Sequence, residues 1–202
     1  MIVGITGCPG SGKTILAGEF SSNGWILVNA DDIGREVVEH NKAILDELAG
    51  AFGDDILDGE GKLRRRELGR RAFADQEKTR KLNAIVHPPL IRLLKKRVEA
   101  LQLSGCNGVV DCALIFEWGI EGIFDEVICV ASDIQLRRER IMRRDDRSAG
   151  EVDDLFEAQF AEIEKVQRAG IVIKNNGSIE SLKVYGRLFA HLPDYCEEVR
   201  IG

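Results

Sequence analysis

No run of about 18 consecutive apolar residues occurs in the 202-residue chain, so no membrane-spanning helix is expected. The five cysteines (Cys8, Cys106, Cys112, Cys129 and Cys196) contain no C-x-x-C pair, and their odd number argues against a disulfide framework. Three of them look like small buried hydrophobes near strands. The three histidines are scattered and form no metal-ligand cluster. Internal repeats and low-complexity segments are also missing. Positive charge is the minority sign, with 28 Lys and Arg against 34 Asp and Glu. The resulting net charge of −6 argues against recruiting nucleic acid by bulk electrostatics. Six residues precede the first motif, which leaves no room for a signal peptide, so a reducing cytoplasm is the expected location. What remains, at 44% hydrophobic and 31% charged residues, suits one α/β domain with a sizeable core and room for a helical insertion.

What is present is concentrated at the start. Gly7-Cys8-Pro9-Gly10-Ser11-Gly12-Lys13-Thr14 fits the phosphate-binding pattern G-x-x-x-x-G-K-[ST] without a gap. Ile2 to Thr6 reads as a short buried strand before it. After it, Ile15, Leu16 and Phe20 recur at helical spacing. Strand, glycine turn and helix are the context in which backbone N–H groups of Gly10, Ser11, Gly12, Lys13, Thr14 and Ile15 converge on a phosphate. In that reading Lys13 reaches the β- and γ-phosphates of a nucleoside triphosphate, and the Thr14 hydroxyl holds Mg²⁺.

A second strand is expected over Trp25 to Asn29, near the first strand at the same sheet edge. In the segment Ala30-Asp31-Asp32-Ile33-Gly34-Arg35-Glu36, an aspartate either caps a helix burying Ile33, Val37 and Val38, or supplies a carboxylate beside the phosphate loop. Residues 42–52 read as a helix. Gly53 to Leu63 read as a loop or small hairpin. Arg64 to Phe73 resume a helix whose arginines form either a solvated face or a landing site for an anionic acceptor. His87-Pro88-Pro89 is expected to end one helix, and Pro89 to Leu103 to form another. About eighty mostly helical residues thus separate the second and third strands. That is too long for a plain crossover and suggests an inserted helical subdomain that holds an acceptor.

Gly108 to Asp111 reads as the third strand. Its C-terminal aspartate is a candidate for the Mg²⁺-side carboxylate. Glu126 to Val130 and Ala169 to Ile173 are the fourth and fifth strands, and the alternation with helices points to a parallel sheet. Between them, Asp133 is placed to cap a helix. From Arg137 to Arg147 six arginines meet three acids. They form either a solvated face or a lid closing over transferring phosphate, with its tip at Asp145 to Gly150 and a return helix over Glu151 to Arg168. Asn175-Asn176-Gly177 then ends the fifth strand, near the expected adenine. A GTPase switch needs Asn-Lys-x-Asp late in the chain, but the one Asn-Lys, Asn41-Lys42, comes early and lacks the aspartate. The insertion and the arginine helix favour a kinase.

Taken together these segments resemble the dephospho-CoA kinase family, from Met1 to about Leu182. The residues that carry the resemblance are the phosphate loop, Asn29-Ala30-Asp31-Asp32-Ile33-Gly34-Arg35, Gly61 to Leu68, and Leu82-Asn83 with His87-Pro88. Further matches are Asp111 to Glu117, Arg140, Arg144, Gln159 and Asn175-Asn176-Gly177. Asn29 stands where the family has an aspartate, Ala113 where proline is usual, Arg137 where glutamine is common, and Pro89 makes a double proline. The resemblance implies a three-layer P-loop kinase fold with a five-stranded parallel sheet of order 2-3-1-4-5. It also implies a helical acceptor-binding insertion over residues 31–105 and an arginine-rich lid within residues 137–165. The implied reaction is transfer of the γ-phosphoryl group of ATP to the 3′-hydroxyl of dephospho-CoA, with ATP and Mg²⁺ required. Asp31 is then the base or hydroxyl-orienting carboxylate, and Arg140 and Arg144 close from the lid. Arg35, Arg66 and His87 hold the acceptor, and Thr14 and Asp111 hold the metal. The expected state is a monomer or weak homo-oligomer. A nucleoside or nucleoside-monophosphate kinase of the same architecture is the alternative.

Overall fold

A computed structural model describes residues 1–145, 148–157 and 159–191. The lid-tip residues Asp146 and Arg147, Cys196 and the tail from Pro193 lie outside the described residues. The chain divides into two compact units, one made of Met1–Asn29 and the chain from Val98 onward, the other of Ala30–Arg97.

The first unit holds the sheet. Strands β1 (Ile2–Thr6), β2 (Ile26–Asn29), β3 (Gly108–Asp111), β4 (Glu126–Ala131) and β5 (Ile171–Lys174) pair in the order β2-β3-β1-β4-β5, every ladder parallel. The expected order is therefore found, and so is the third strand with its expected bounds. In that order β3 lies between β1 and β2. β3 is buried along its whole length, as a central strand of an all-parallel sheet must be. Its apolar Val109 and Val110 therefore outcompete the equally long but more exposed Ile26–Asn29 for the position beside β1.

Alternation along β1 assigns its residues to two faces. Val3 and Ile5 join Val109, Ile128, Val130 and Ile173 under helices α1 (Lys13–Ser22) and α9 (Ile179–Ala190), which contribute Leu16, Ala17, Phe20, Leu182 and Ala190. Phe20 meets Trp25 edge-on at 5.0 Å, and the Trp25 indole donates to the Ala190 carbonyl at 2.9 Å. On the opposite face Gly4 lies against Ile115 and Phe124 so closely that a Cβ there would come within 2.8 Å of Ile115.

The second unit consists of α2 (Ala30–His40), α3 (Lys42–Phe52), α4 (Arg65–Ala72) and most of α5 (Gln76–Ser104). Asn41 caps α3 by accepting from the Ala43 and Ile44 amides. Residues 53–63 form the expected small hairpin, a 3-10 turn over Asp54–Ile56 followed by an antiparallel bridge between Leu57 and Leu63. α2 begins directly after β2, so Asp31 and Asp32 occupy its first turn and neither precedes it as a cap. Acidic residues there complement the helix dipole.

Two expected breaks moved. The chain does not stop at His87: α5 is one helix of 29 residues with Pro88 and Pro89 inside it. The prolines remove two backbone donors, at a cost of about 3 kcal/mol or more. Ile85, Leu90, Leu94 and Val98 are all buried on the continuing face, and each contributes about 1.5–3 kcal/mol. Burial wins. Conversely, the single return helix over Glu151 to Arg168 is two, α7 (Ala149–Glu157) and α8 (Glu162–Arg168). Residues 159–161 are non-helical, and the Phe160 N–H, which a continuous helix would use internally, donates instead to Glu117 Oε1 at 3.0 Å.

Candidate active site

The loop between Thr6 and Lys13 has the shape its glycines permit. Gly10 and Gly12 have φ of 76° and 104°, where a side chain is strained. Space forbids one as well: a Cβ on Gly10 would lie 2.7 Å from the Arg137 carbonyl, and one on Gly12 2.6 Å from the Asn175 amide. The Ser11 N–H donates to the Cys8 carbonyl and the Ile15 N–H to that of Gly12, so these two amides shape the loop itself. The first-turn amides of α1, at Lys13 and Thr14, form the positive end of a helix pointed out of the sheet edge.

Around this loop the structure gathers Lys13, Thr14, Asp111, Arg140 and Asn175. The Lys13 ammonium folds back to the Cys8 carbonyl at 3.4 Å. Thr14 Oγ1 donates to Asp111 Oδ2 at 2.8 Å. Register explains the meeting: Asp111 pairs with Ile5 on one side and Asn29 on the other, so it ends its strand just below the loop. Asp111 is only 7% exposed. A buried carboxylate beside a hydroxyl at the lip of a phosphate loop is a hard-oxygen donor set. That fits Mg²⁺, which is bound through one or two carboxylates plus substrate phosphates and seldom by a full protein cage. Consistent with this, no group of three or more His, Cys, Asp or Glu among the described residues suits a metal.

Asn175, buried at the end of β5, donates from Nδ2 to the Ser11 carbonyl at 2.7 Å, so its side chain braces the loop from beneath. The Asn175 carbonyl accepts from Arg140 Nη2 at 3.0 Å, and Arg140 Nη1 reaches Ser132 Oγ at 3.1 Å and the Gly10 carbonyl at 3.3 Å. Arg140 thus sits at the loop with its charge directed to backbone oxygens. It rises from α6 (Ile134–Asp145), whose preceding residue, Asp133, exchanges hydrogen bonds with the Asn176 amide. Arg144, four residues on, is 71% exposed and pairs with its neighbour Asp145.

Arg137 does not lie on an open face of α6. Its side chain is 7% exposed, donates to the Ser132 carbonyl at 2.9 Å, approaches Glu162 at 3.5 Å and stacks on Phe156 at 4.7 Å. Together with the Arg138–Asp153 pair it fastens α6 to the helices that follow. Ser132 is the junction that sequence reasoning missed. It is buried, donates to Asn175, and accepts from Arg137 and Arg140. Only its place, directly after a strand's C-terminal end, could have marked it. Cys8, in the loop itself, is buried, and burial pushes its thiol up, so it stays a protonated donor, at 3.7 Å from the Phe160 carbonyl.

The remaining candidates belong to the helical unit. Asp31 is exposed in the first turn of α2, two residues beyond Asn29 along the chain. Arg35 is exposed and pairs with Asp32 at 2.8 Å, the two side chains 60% and 65% exposed. In the run from Arg64 to Arg71, Arg65 is held by Glu39, Arg70 by Glu67, and Arg71 by Asp55 and Glu67. Arg64 and Arg66 are exposed and have no side-chain acceptor among the described residues, which separates them from Arg65, Arg70 and Arg71. His87 is half-buried in α5, and burial pushes its imidazole below the ordinary value.

Comparison with known proteins identifies relatives of the chain. A family model described as dephospho-CoA kinase (CoaE) matches residues 1–181. A dephospho-CoA kinase of Corynebacterium diphtheriae is 36% identical over 187 residues, covering 92% of this chain and 94% of that protein. One from Bacillus licheniformis is 37% identical over 181 residues, covering 89% and 90%. The crystal structure of TT1252 from Thermus thermophilus superposes with a TM-score of 0.74 at 34% identity, over 95% of this chain and 97% of that one. With the loop, the strand order and these relatives in agreement, the chain belongs to the dephospho-CoA kinase family.

Proposed function

We propose that this protein transfers the γ-phosphoryl group of ATP to the 3′-hydroxyl of dephospho-CoA, giving coenzyme A and ADP in the cytoplasm. The observation that carries the reading is the Thr14–Asp111 hydrogen bond at the mouth of the phosphate loop, a metal-side pair in contact with the donor cradle. A loop threonine beside a strand-end aspartate is the pair through which P-loop enzymes hold Mg²⁺, and membership of the family supports the acceptor.

Each residue then has a part. The amides at the start of α1 and the Lys13 ammonium hold the β- and γ-phosphates and offset charge on their oxygens. Thr14 and Asp111 are the residues that hold Mg²⁺, which when bound neutralises charge on the β- and γ-oxygens. Arg140 and Arg144 serve the lid, Arg140 turning from backbone carbonyls to phosphate oxygen. Asn175 keeps the loop in shape at the nucleotide's edge. Residues 31–105 serve the acceptor, with Arg35, Arg66 and His87 holding its phosphates or ribose. Asp31 orients the 3′-hydroxyl and takes its proton as the new oxygen–phosphorus bond forms and the bond to the β-phosphate oxygen breaks, ADP departing with that electron pair. The protein works as a monomer or weak homo-oligomer.

The test offers Mg-ATP with dephospho-CoA, and separately with nucleosides and nucleoside monophosphates, and reads product masses. A gain of one phosphoryl group on dephospho-CoA alone is the expected result. Phosphorylation of a nucleoside or nucleotide with none on dephospho-CoA would overturn the acceptor assignment and leave the phosphate loop's role standing.

A further inference from the structure

Lys165 is fully buried, at 0% exposure, while Ile163 two residues earlier is 61% exposed. Hydropathy would place these two side chains the other way round. The inversion has a structural object. Lys165 Nζ donates to Glu117 Oε1 at 2.6 Å and to the Ala113 carbonyl at 2.6 Å. The same Ala113 carbonyl accepts from Thr6 Oγ1 at 3.0 Å, at the residue where β1 enters the phosphate loop. Glu117 Oε1 also accepts the Phe160 N–H at the break between α7 and α8. The Phe160 carbonyl in turn takes the Cys8 thiol, whose own carbonyl receives Lys13 Nζ. One buried pair therefore joins three segments: the start of the loop, the stretch just beyond Asp111, and the base of the lid.

We infer that Lys165 and Glu117 are positioning residues for phosphoryl transfer, fixing the phosphate loop, the segment after Asp111 and the lid base in one arrangement. Stability alone does not account for the pair. Removing two charges from water is costly, and replacing a buried ion pair by apolar side chains is often neutral or stabilising. Nor is this pair tuned for stability, since Glu117 Oε2 is buried without a hydrogen-bond partner among the described residues. What an apolar pair cannot reproduce is the directed link from one ammonium to Ala113 and Glu117, and from Glu117 to Phe160. Neither residue touches the reacting atoms in this reading. They act through Cys8, Thr6 and the chain that follows Asp111.

The inference rests on the kinase reading for its kinetic consequence and on the fold alone for its physical one, so both are measured. In Lys165→Met/Glu117→Leu, thermal stability is expected to equal or exceed that of the wild type. kcat should fall more than about tenfold, with KM for ATP within about twofold, because positioning is lost and ground-state binding is kept. Amide hydrogen exchange in residues 7–14 and 159–161 should rise at least about tenfold, with β1 and β4 unchanged. Thr6→Val leaves both charges in place and removes one hydrogen bond to Ala113. It should show the same pattern at about threefold, and it decides the question if the double variant does not fold. A stable double variant, or a folded Thr6→Val, with wild-type turnover and wild-type exchange in the loop would overturn the inference. A wild-type protein inert toward dephospho-CoA would defeat the acceptor reading, and the exchange measurement would still decide this one.

Discussion

The phosphate-loop unit and the helical unit treat their charged side chains in opposite ways. Around the loop, Arg140, Asn175, Lys13 and Lys165 all point at backbone carbonyls, and Asp111 receives the Thr14 hydroxyl. In the helical unit Arg35 and Arg66 stand on exposed helix surface, Arg35 in a solvent-exposed pair with Asp32 and Arg66 without an acceptor among the described residues. The first pattern is preorganisation, in which groups are held before the substrate arrives and little reorganisation remains. The second suits a ligand that brings its own charges. An exposed ion pair contributes only about 0–1 kcal/mol, so exchanging Asp32 for an acceptor phosphate is inexpensive for Arg35. On the proposed function, the donor half is therefore a product of the fold, and the acceptor half is exposed helix surface that its ligand organises.

The largest test of this contrast is Lys13→Ala. Losing a preorganised ammonium from the donor half should cut kcat/KM about a thousandfold, near 4 kcal/mol of transition-state stabilisation, and weaken ATP binding as well. Initial rates and nucleotide titration would measure both. Activity equal to the wild type would remove the loop from catalysis.

Asp31→Asn asks whether the helical unit contributes chemistry as well as binding. Turnover should drop more than about tenfold (about 1.4 kcal/mol) while ATP affinity changes little, since the lost group acts on the attacking hydroxyl. Unchanged kcat would leave Asp31 as a first-turn residue of α2 and nothing more. Arg66→Ala should be smaller and of a different kind. KM for dephospho-CoA should rise about fivefold with kcat unaltered, the signature of uniform binding. A fall in kcat at constant KM would contradict the surface description of this unit.

The same contrast decides what could be read from the sequence. Glycines with fixed roles, a lysine and a threonine at set spacing, and an aspartate closing a buried Val-Val strand each have one physical use, so the loop, Thr14 and Asp111 were legible. The strand order came with the family resemblance. Periodicity could not anticipate α5 passing through Pro88 and Pro89, because local proline chemistry argued for a stop and only the burial of Leu90, Leu94 and Val98 outweighs it. Nor could it find the break at residues 159–161, which exists because Glu117, forty-three residues away, takes the Phe160 amide. Lys165 was hidden for the same reason. Within the return helix, Glu162-Ile163-Glu164-Lys165 gives no sign of a buried lysine until the carbonyl of Ala113 and the carboxylate of Glu117 are placed beside it. Long-range partners leave no local signal.

The smallest expected effect concerns His87, where family resemblance implies an acceptor contact and its half-buried setting allows a purely structural one. Burial lowers its folded pKa below the unfolded value of about 6.5. Between those two values the unfolded chain binds more protons, so stability rises with pH across that window. The contribution is complete above about pH 6.5, is lost as pH falls through the window, and is gone below the folded pKa. His87→Gln removes this dependence. Its thermal midpoint should therefore decline less than that of the wild type between pH 7.5 and 5. Identical slopes would mean that the burial has no energetic consequence. KM for dephospho-CoA in the same variant separates the two roles: a severalfold rise at pH 7.5 assigns His87 to the acceptor, and an unchanged KM with the altered slope assigns it to the helix alone.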